Sequence, residues 1–93
     1  MVINHNTNIH GRPFSKETID RVWNKGKIVP EYDSRIWRWD RYKTLIRYSD
    51  YGNIHTKYGW EIVQIRLFAN GASDDQSNLQ PLHWKNKRLK GNS

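Results

Sequence analysis

The chain has 93 residues, enough for one domain and too few for two. It holds no cysteine, which excludes a disulfide framework and any thiolate metal site, and no apolar run approaches membrane-spanning length. The formal net charge is +7 and the sequence pI about 9.9, a field that attracts polyanions. Aliphatic residues are few, yet five Trp, five Tyr and two Phe supply enough area for a small core.

The first thirteen residues are polar and aperiodic and read as an irregular N-terminal arm, with 14–93 as a single domain. His5 and His10 in that arm lack a nearby third ligand and read as solvated loop residues. The start has no charged segment followed by an apolar one, so no secretory signal is expected and the setting is expected to be cytoplasmic.

Ser15 to Lys25 predicts a helix. Ser15 suits an N-cap, Glu17 falls in the first turn, and Ile19, Val22 and Trp23 share a face behind Phe14. Gly26 is expected to close the helix as its C′ residue. Lys27 to Asp33, with Pro30, is expected to be irregular. Ser34 to Asp40, with Arg41 just after it, then interleaves Arg35, Arg38 and Arg41 with Ile36, Trp37 and Trp39. Such a pattern can pair phosphates and stack bases, or can be a core aromatic stripe with a solvated basic rim. Trp37 is expected in the core.

Tyr42 to Tyr48 suits a short strand, and Asp50-Tyr51-Gly52-Asn53 is a turn signal. Trp60 to Phe68 alternates in the manner of a strand, Asn70 to Asp75 reads as a loop, Asn78 to Leu82 as a second strand, and Trp84 to Lys90 as a helix ended by Gly91. The fold class expected is α+β: an N-terminal helix and a small antiparallel sheet, with a C-terminal ββα unit.

The closing third carries Trp60-Glu61-Ile62-Val63-Gln64-Ile65, then Asn70-Gly71-Ala72-Ser73-Asp74-Asp75, then Asn78-Leu79-Gln80-Pro81-Leu82-His83-Trp84-Lys85-Asn86, with Lys87 and Lys90-Gly91 after it. This succession resembles the HNH (ββα-metal) endonucleases. Their first strand reads Trp-Glu-Ile-Asp-His-Ile, and their Asn-Leu-Gln-Pro-Leu leads into a helix bearing a metal-binding Asn or His. The spacing from Gln64 to Asn78 equals the family spacing from histidine to asparagine. Tyr51-Gly52 and Tyr58-Gly59-Trp60 extend the likeness upstream.

The resemblance implies a nuclease with a divalent metal held by an Asp on the strand and an Asn or His on the helix. A neutral His would take the proton of the attacking water, oriented by the asparagine. This chain departs at each decisive position. Val63 stands at the Asp position and has no donor atom. Gln64 stands at the general base, and an amide takes up no proton near neutral pH. Lys87 aligns with the helix ligand, and Asn78 alone remains. No catalytic residue and no cofactor are therefore expected. The one rescue available is a metal site built from Glu61, His83 and Asp75, with Asp74 alongside in the loop.

What survives is a basic surface. Lys85, Lys87, Arg88 and Lys90 lie on the closing helix, no acid follows Gln76, and Arg35, Arg38, Arg41 and Trp39 add a second group. The expectation is a catalytically inactive HNH-like protein that binds nucleic acid or a nucleoprotein enzyme, with no membrane partner. Its size suits a phage or mobile-element inhibitor of a defence enzyme, an anti-CRISPR-like role. The alternatives are an active metal-dependent nuclease with an unusual site and an aromatic protein-interaction module using Trp37 and Trp39.

Overall fold

Ser15 takes an extended conformation and its hydroxyl accepts the Thr18 amide, which starts a helix at the next residue. In the computed structural model this helix, α1, spans Lys16–Trp23 and buries Val22 and Trp23. Phe14 and Ile19, one residue before the cap and four after it, both join the core, the arrangement of a hydrophobic staple. The structure describes the backbone of residues 6–68 and 71–91 and the side chains of 6–66 and 73–88. His5, Asn70 and the Lys90 side chain, singled out above, lie outside the described residues.

Gly26 is not a left-handed cap. Asn24 ends α1 in a right-handed conformation, and among described glycines only Gly11 and Gly52 have positive φ. Gly26 is needed for space instead, because a Cβ there would stand 3.0 Å from Arg38 Cβ.

Three short antiparallel strands follow: β1 (Lys27–Ile28), β2 (Trp37–Trp39) and β3 (Leu45–Arg47), in that order across the sheet. The segment expected to be irregular therefore contains an edge strand. Between β2 and β3 the loop ends at Lys43, which is left-handed at φ 61°. Asp40 organises this loop: its Oδ1 accepts the amides of Tyr42 and Thr44 at 2.9 and 3.0 Å. A 3-10 turn, Tyr48–Asp50, and Gly52 at φ 79° then bring the chain back toward the core.

The second sheet pairs β4 (Trp60–Gln64) with β7 (Leu79–His83), with Trp60 opposite His83 and Gln64 opposite Leu79. Between them, β5 (Leu67–Phe68) and β6 (Gly71–Ala72) make a small hairpin. The run from Trp60 to Phe68 is thus two strands, not one. The break has a cause at Asn78, whose side-chain amide takes the Arg66 amide at 2.8 Å and donates to the Arg66 carbonyl at 3.1 Å. A side chain occupies the place of a partner strand's backbone, so the ladder cannot continue.

The closing helix α2 spans Trp84–Gly91 and so runs through the glycine expected to end it. Cross-strand partners share a face, so Trp60, Ile62 and Leu79 lie together. All three are in the core cluster with Val22, Trp23 and Ile46. Glu61 and Leu82 lie on the opposite face, where α2 packs. The free edge of β4 is closed by the turn after Asp50, with the Gly52 amide on the Trp60 carbonyl, and by the arm, with the Ile62 amide on Asn6 Oδ1. Gly59 enters β4 through a gap no side chain fits, since a Cβ would collide with the Asn53 carbonyl. Among the described residues no helix is long and apolar enough to cross a membrane.

Candidate functional site

The positions singled out in the closing third converge on β4, β7 and α2. Val63 is buried. Glu61, two residues earlier on the same strand face, lies 3.3 Å from the Lys87 ammonium, and both residues are buried, at 4 % and 8 % exposure. Lys87, expected on the binding surface from its place in a basic run, is instead buried against the sheet. Its stem crosses from α2 to the sheet, and its charge is spent inside the protein. A pair so enclosed is costly to break, because the remaining charge keeps its desolvation penalty without its partner.

Gln64 is half-buried, and its amide donates to the Asp74 carboxylate at 3.2 Å and to the Thr7 carbonyl at 3.4 Å. Asp74 also accepts the Ile9 amide at 2.9 Å. Gln64 thus ties the N-terminal arm to the loop before β7. Asn78 is buried, with its carbonyl oxygen on the Arg66 amide and its amino group on the carbonyls of Arg66 and Ser73. It fastens a loop.

His83 is buried with both ring nitrogens engaged. Nε2 lies 2.7 Å from the Lys57 carbonyl, which can only accept, so Nε2 carries the hydrogen. Nδ1 accepts the Lys85 amide at 3.1 Å and caps α2, while the ring stacks on Trp84. No lone pair remains for a metal. Glu61 belongs to Lys87, and Asp75 is an exposed residue preceding a 3-10 turn. The rescue trio of Glu61, His83 and Asp75 is accordingly not assembled. No group of three His, Asp or Glu side chains suited to a metal exists among the described residues. Val63 has no donor atom, Lys87 is a cation, and Glu61 already holds that cation, so these three residues do not fit a divalent ion.

Asp40 was not anticipated. It is 1 % exposed and accepts four hydrogen bonds, two from its own hairpin and two on Oδ2, from the His83 amide at 3.0 Å and Asn86 Nδ2 at 2.7 Å. Asn86 also reaches Thr44 Oγ1 at 2.9 Å. The β2–β3 hairpin and the start of α2 are thereby locked together. The sequence signal was present, an Asp just before a three-residue turn, but its partners lie more than forty residues away.

The cations divide. Arg38 is half-buried, and its guanidinium donates to the carbonyls of Ser34, Asn24 and Gly26 and lies over Trp23, so it is engaged within the protein. Arg35 is exposed but held by Asp33 at 2.8 Å, and that pairing lowers the Asp33 pKa. Lys85, Arg88 and Arg41 are exposed, and Lys85 lies over the Trp84 ring at 5.4 Å. Arg41 also lines an open groove of about 540 Å³ with Arg66, Ser73, Ser77, Asn78 and Gln80. Arg66 is an exposed cation that the alternating strand pattern concealed. Trp39 is half-buried, with Lys43 over its ring at 5.9 Å.

Comparison with protein-family models, with curated proteins and with solved structures returned no match.

Proposed function

We propose that this chain is a non-catalytic binder of nucleic acid or of a nucleoprotein, built on an HNH-like ββα scaffold. The observation that carries the reading is the Glu61–Lys87 pair, a buried ammonium between β4 and α2 where that scaffold would keep its metal. The pairing of β4 with β7, the helix α2 after them and Asn78 just before β7 support this reading. A hydrolytic centre needs an electrophilic ion and a base beside the phosphate. Here the corresponding positions hold an ion pair and a hydrogen-bonded amide. The exposed Arg41, Arg66, Lys85 and Arg88 supply the attraction for phosphates. A basic domain of this size suits an inhibitor that docks on a nucleoprotein defence enzyme, an anti-CRISPR-like role.

The test is binding of labelled DNA and RNA across a salt series, alongside a cleavage assay with Mg²⁺, Mn²⁺ or Zn²⁺. Binding should weaken with salt with a logarithmic slope of about −3 to −4, as four phosphate contacts would give. Lys85→Glu with Arg88→Glu should weaken it further, and no metal should bring about cleavage. Strand scission lost on Glu61→Ala but kept in a surface variant would establish the active-nuclease alternative. Failure to bind nucleic acid or nucleoprotein at low salt would remove the reading altogether.

A further inference from the structure

Each face of the three-stranded sheet mixes covered and exposed residues. Its register places Ile28, Arg38 and Ile46 in one cross-strand row, and Ile46 lies fully buried in the core. Arg38, in the same row, spends its guanidinium on three backbone carbonyls. The opposite face therefore carries Lys27, Trp37, Trp39, Leu45 and Arg47. Arg38 and both tryptophans are half-buried, while Ile28 in the Arg38 row is 62 % exposed. Trp37 is half-buried and absent from the core cluster, contrary to the expectation for it.

Cations surround the rings of that opposite face. The Arg47 guanidinium lies 5.5 Å from the Trp37 ring and 5.3 Å from Tyr58, while Lys57 is 5.8 Å from Tyr58 and Lys43 is 5.9 Å from Trp39. Tyr58 meets Trp37 edge-on at 4.9 Å, and Tyr32, 54 % exposed, meets its other side at 6.2 Å. Among the described residues the one carboxylate bonded to these cations is Asp50, largely buried and 3.0 Å from Arg47. It holds the guanidinium between the two rings. Lys27, Lys43 and Lys57 are exposed.

We propose that this sheet face is a stacking platform for single-stranded nucleic acid. The inference rests on the nucleic-acid-binding reading and adds a surface apart from β4, β7 and α2. The half-buried Trp39 ring and the exposed Tyr32 ring can take bases, while the lysines meet the phosphates. Bases paired inside a duplex have no free face to offer, so the platform selects unpaired strands. The cationic border favours this occupant over an apolar protein surface, which would leave those charges desolvated.

The experiment titrates the full chain with oligo-dT, oligo-U and a duplex of equal length, reading tryptophan fluorescence and anisotropy in low and high salt. Single strands should quench fluorescence. Tyr32→Ala and Trp39→Ala should each weaken single-strand binding about 5- to 150-fold, and duplex binding should be little changed. Should an alanine variant fail to fold, Lys43→Glu and Lys27→Glu at exposed positions carry the same test. They should lower single-strand affinity and flatten its salt dependence, while Trp39→Phe should retain most of it. Single-strand binding indifferent to all these changes but lost on Lys85→Glu with Arg88→Glu overturns the platform and leaves the broader reading standing. No binding of any nucleic acid overturns both. A salt-insensitive protein complex lost on Trp39→Ala would make the face a protein-docking surface instead.

Discussion

The Lys87 ammonium lies 3.3 Å from Glu61 Oε1, and neither residue reaches solvent to any useful degree. This pair fastens α2 to β4 electrostatically, where most small domains would use apolar contact. Removing either partner should be expensive: Lys87→Met or Glu61→Leu should each cost about 3–5 kcal/mol by leaving an uncompensated buried charge. The double variant should recover most of that loss, and it could match the parent. Urea unfolding of the four proteins as a double-mutant cycle measures the coupling. Single substitutions costing under about 1 kcal/mol would mean that the pair is solvated and that the reading of the metal position has lost its support.

Asp40 joins two elements through four accepted hydrogen bonds. Asp40→Asn keeps the shape but turns an amino group toward one of its two pairs of donors. Hydrogen bonds to a charged acceptor contribute about 1.5–3 kcal/mol each, so Asp40→Asn should destabilise by about 3 kcal/mol and Asp40→Ala by more. The same variants should loosen α2 before the rest of the chain. Amide exchange at His83 and Lys85, whose amides are held by Asp40 and by His83, should accelerate most. Uniform acceleration across the chain would argue against a local lock.

Much of the architecture was legible where local chemistry decides it. Ser15 announces α1 because a hydroxyl three residues before Thr18 satisfies a helical amide. The alternation from Trp60 and the Asn-Leu-Gln-Pro-Leu run mark β4 and β7, both of which are covered on both faces, by the core on one side and by α2 on the other. What stayed hidden depends on distant partners. In sequence Lys87 is one lysine among four basic residues of α2, and only the fold sets it against Glu61. Arg38 looked like a surface cation because the carbonyls that receive it come from Asn24, Gly26 and Ser34. The break after Gln64 was invisible for a similar reason, since it is made by the side chain of Asn78.

Lys43 occupies a backbone conformation that disfavours its own side chain. At φ 61° an L-residue brings Cβ close to the following carbonyl, at a cost of about 1–2 kcal/mol that glycine avoids. Lys43 is exposed and its ammonium contributes only an exposed cation–π contact with Trp39, about 0.5–1 kcal/mol. Lys43→Gly should therefore stabilise the protein by roughly 0.5–1 kcal/mol, read as a higher urea midpoint with unchanged slope. If the sheet face binds single strands, the same variant should bind them less well. Stability and binding would then move in opposite directions at one residue.

Tyr51 provides the pH test. Its ring packs edge-on against Trp60 at 4.9 Å, and burial pushes the phenol up to about 12 from an ordinary 10.0. The folded state therefore keeps its proton where the unfolded chain has lost it. Stability from this group is complete below pH 10, declines as pH rises from 10 toward 12, and is gone above the folded value. Tyr51→Phe has no proton to lose, so its thermal midpoint should fall less steeply over that interval, although the variant gives up a hydrogen bond to Asn6 at neutral pH. Lysines also titrate in this window, which makes the difference between parent and variant the informative quantity. Parallel curves for the two proteins from pH 9 to about 12 would show that the Tyr51 phenol is solvated. The turn after Asp50 would then not be packed on Trp60 as tightly as the 4.9 Å ring contact requires.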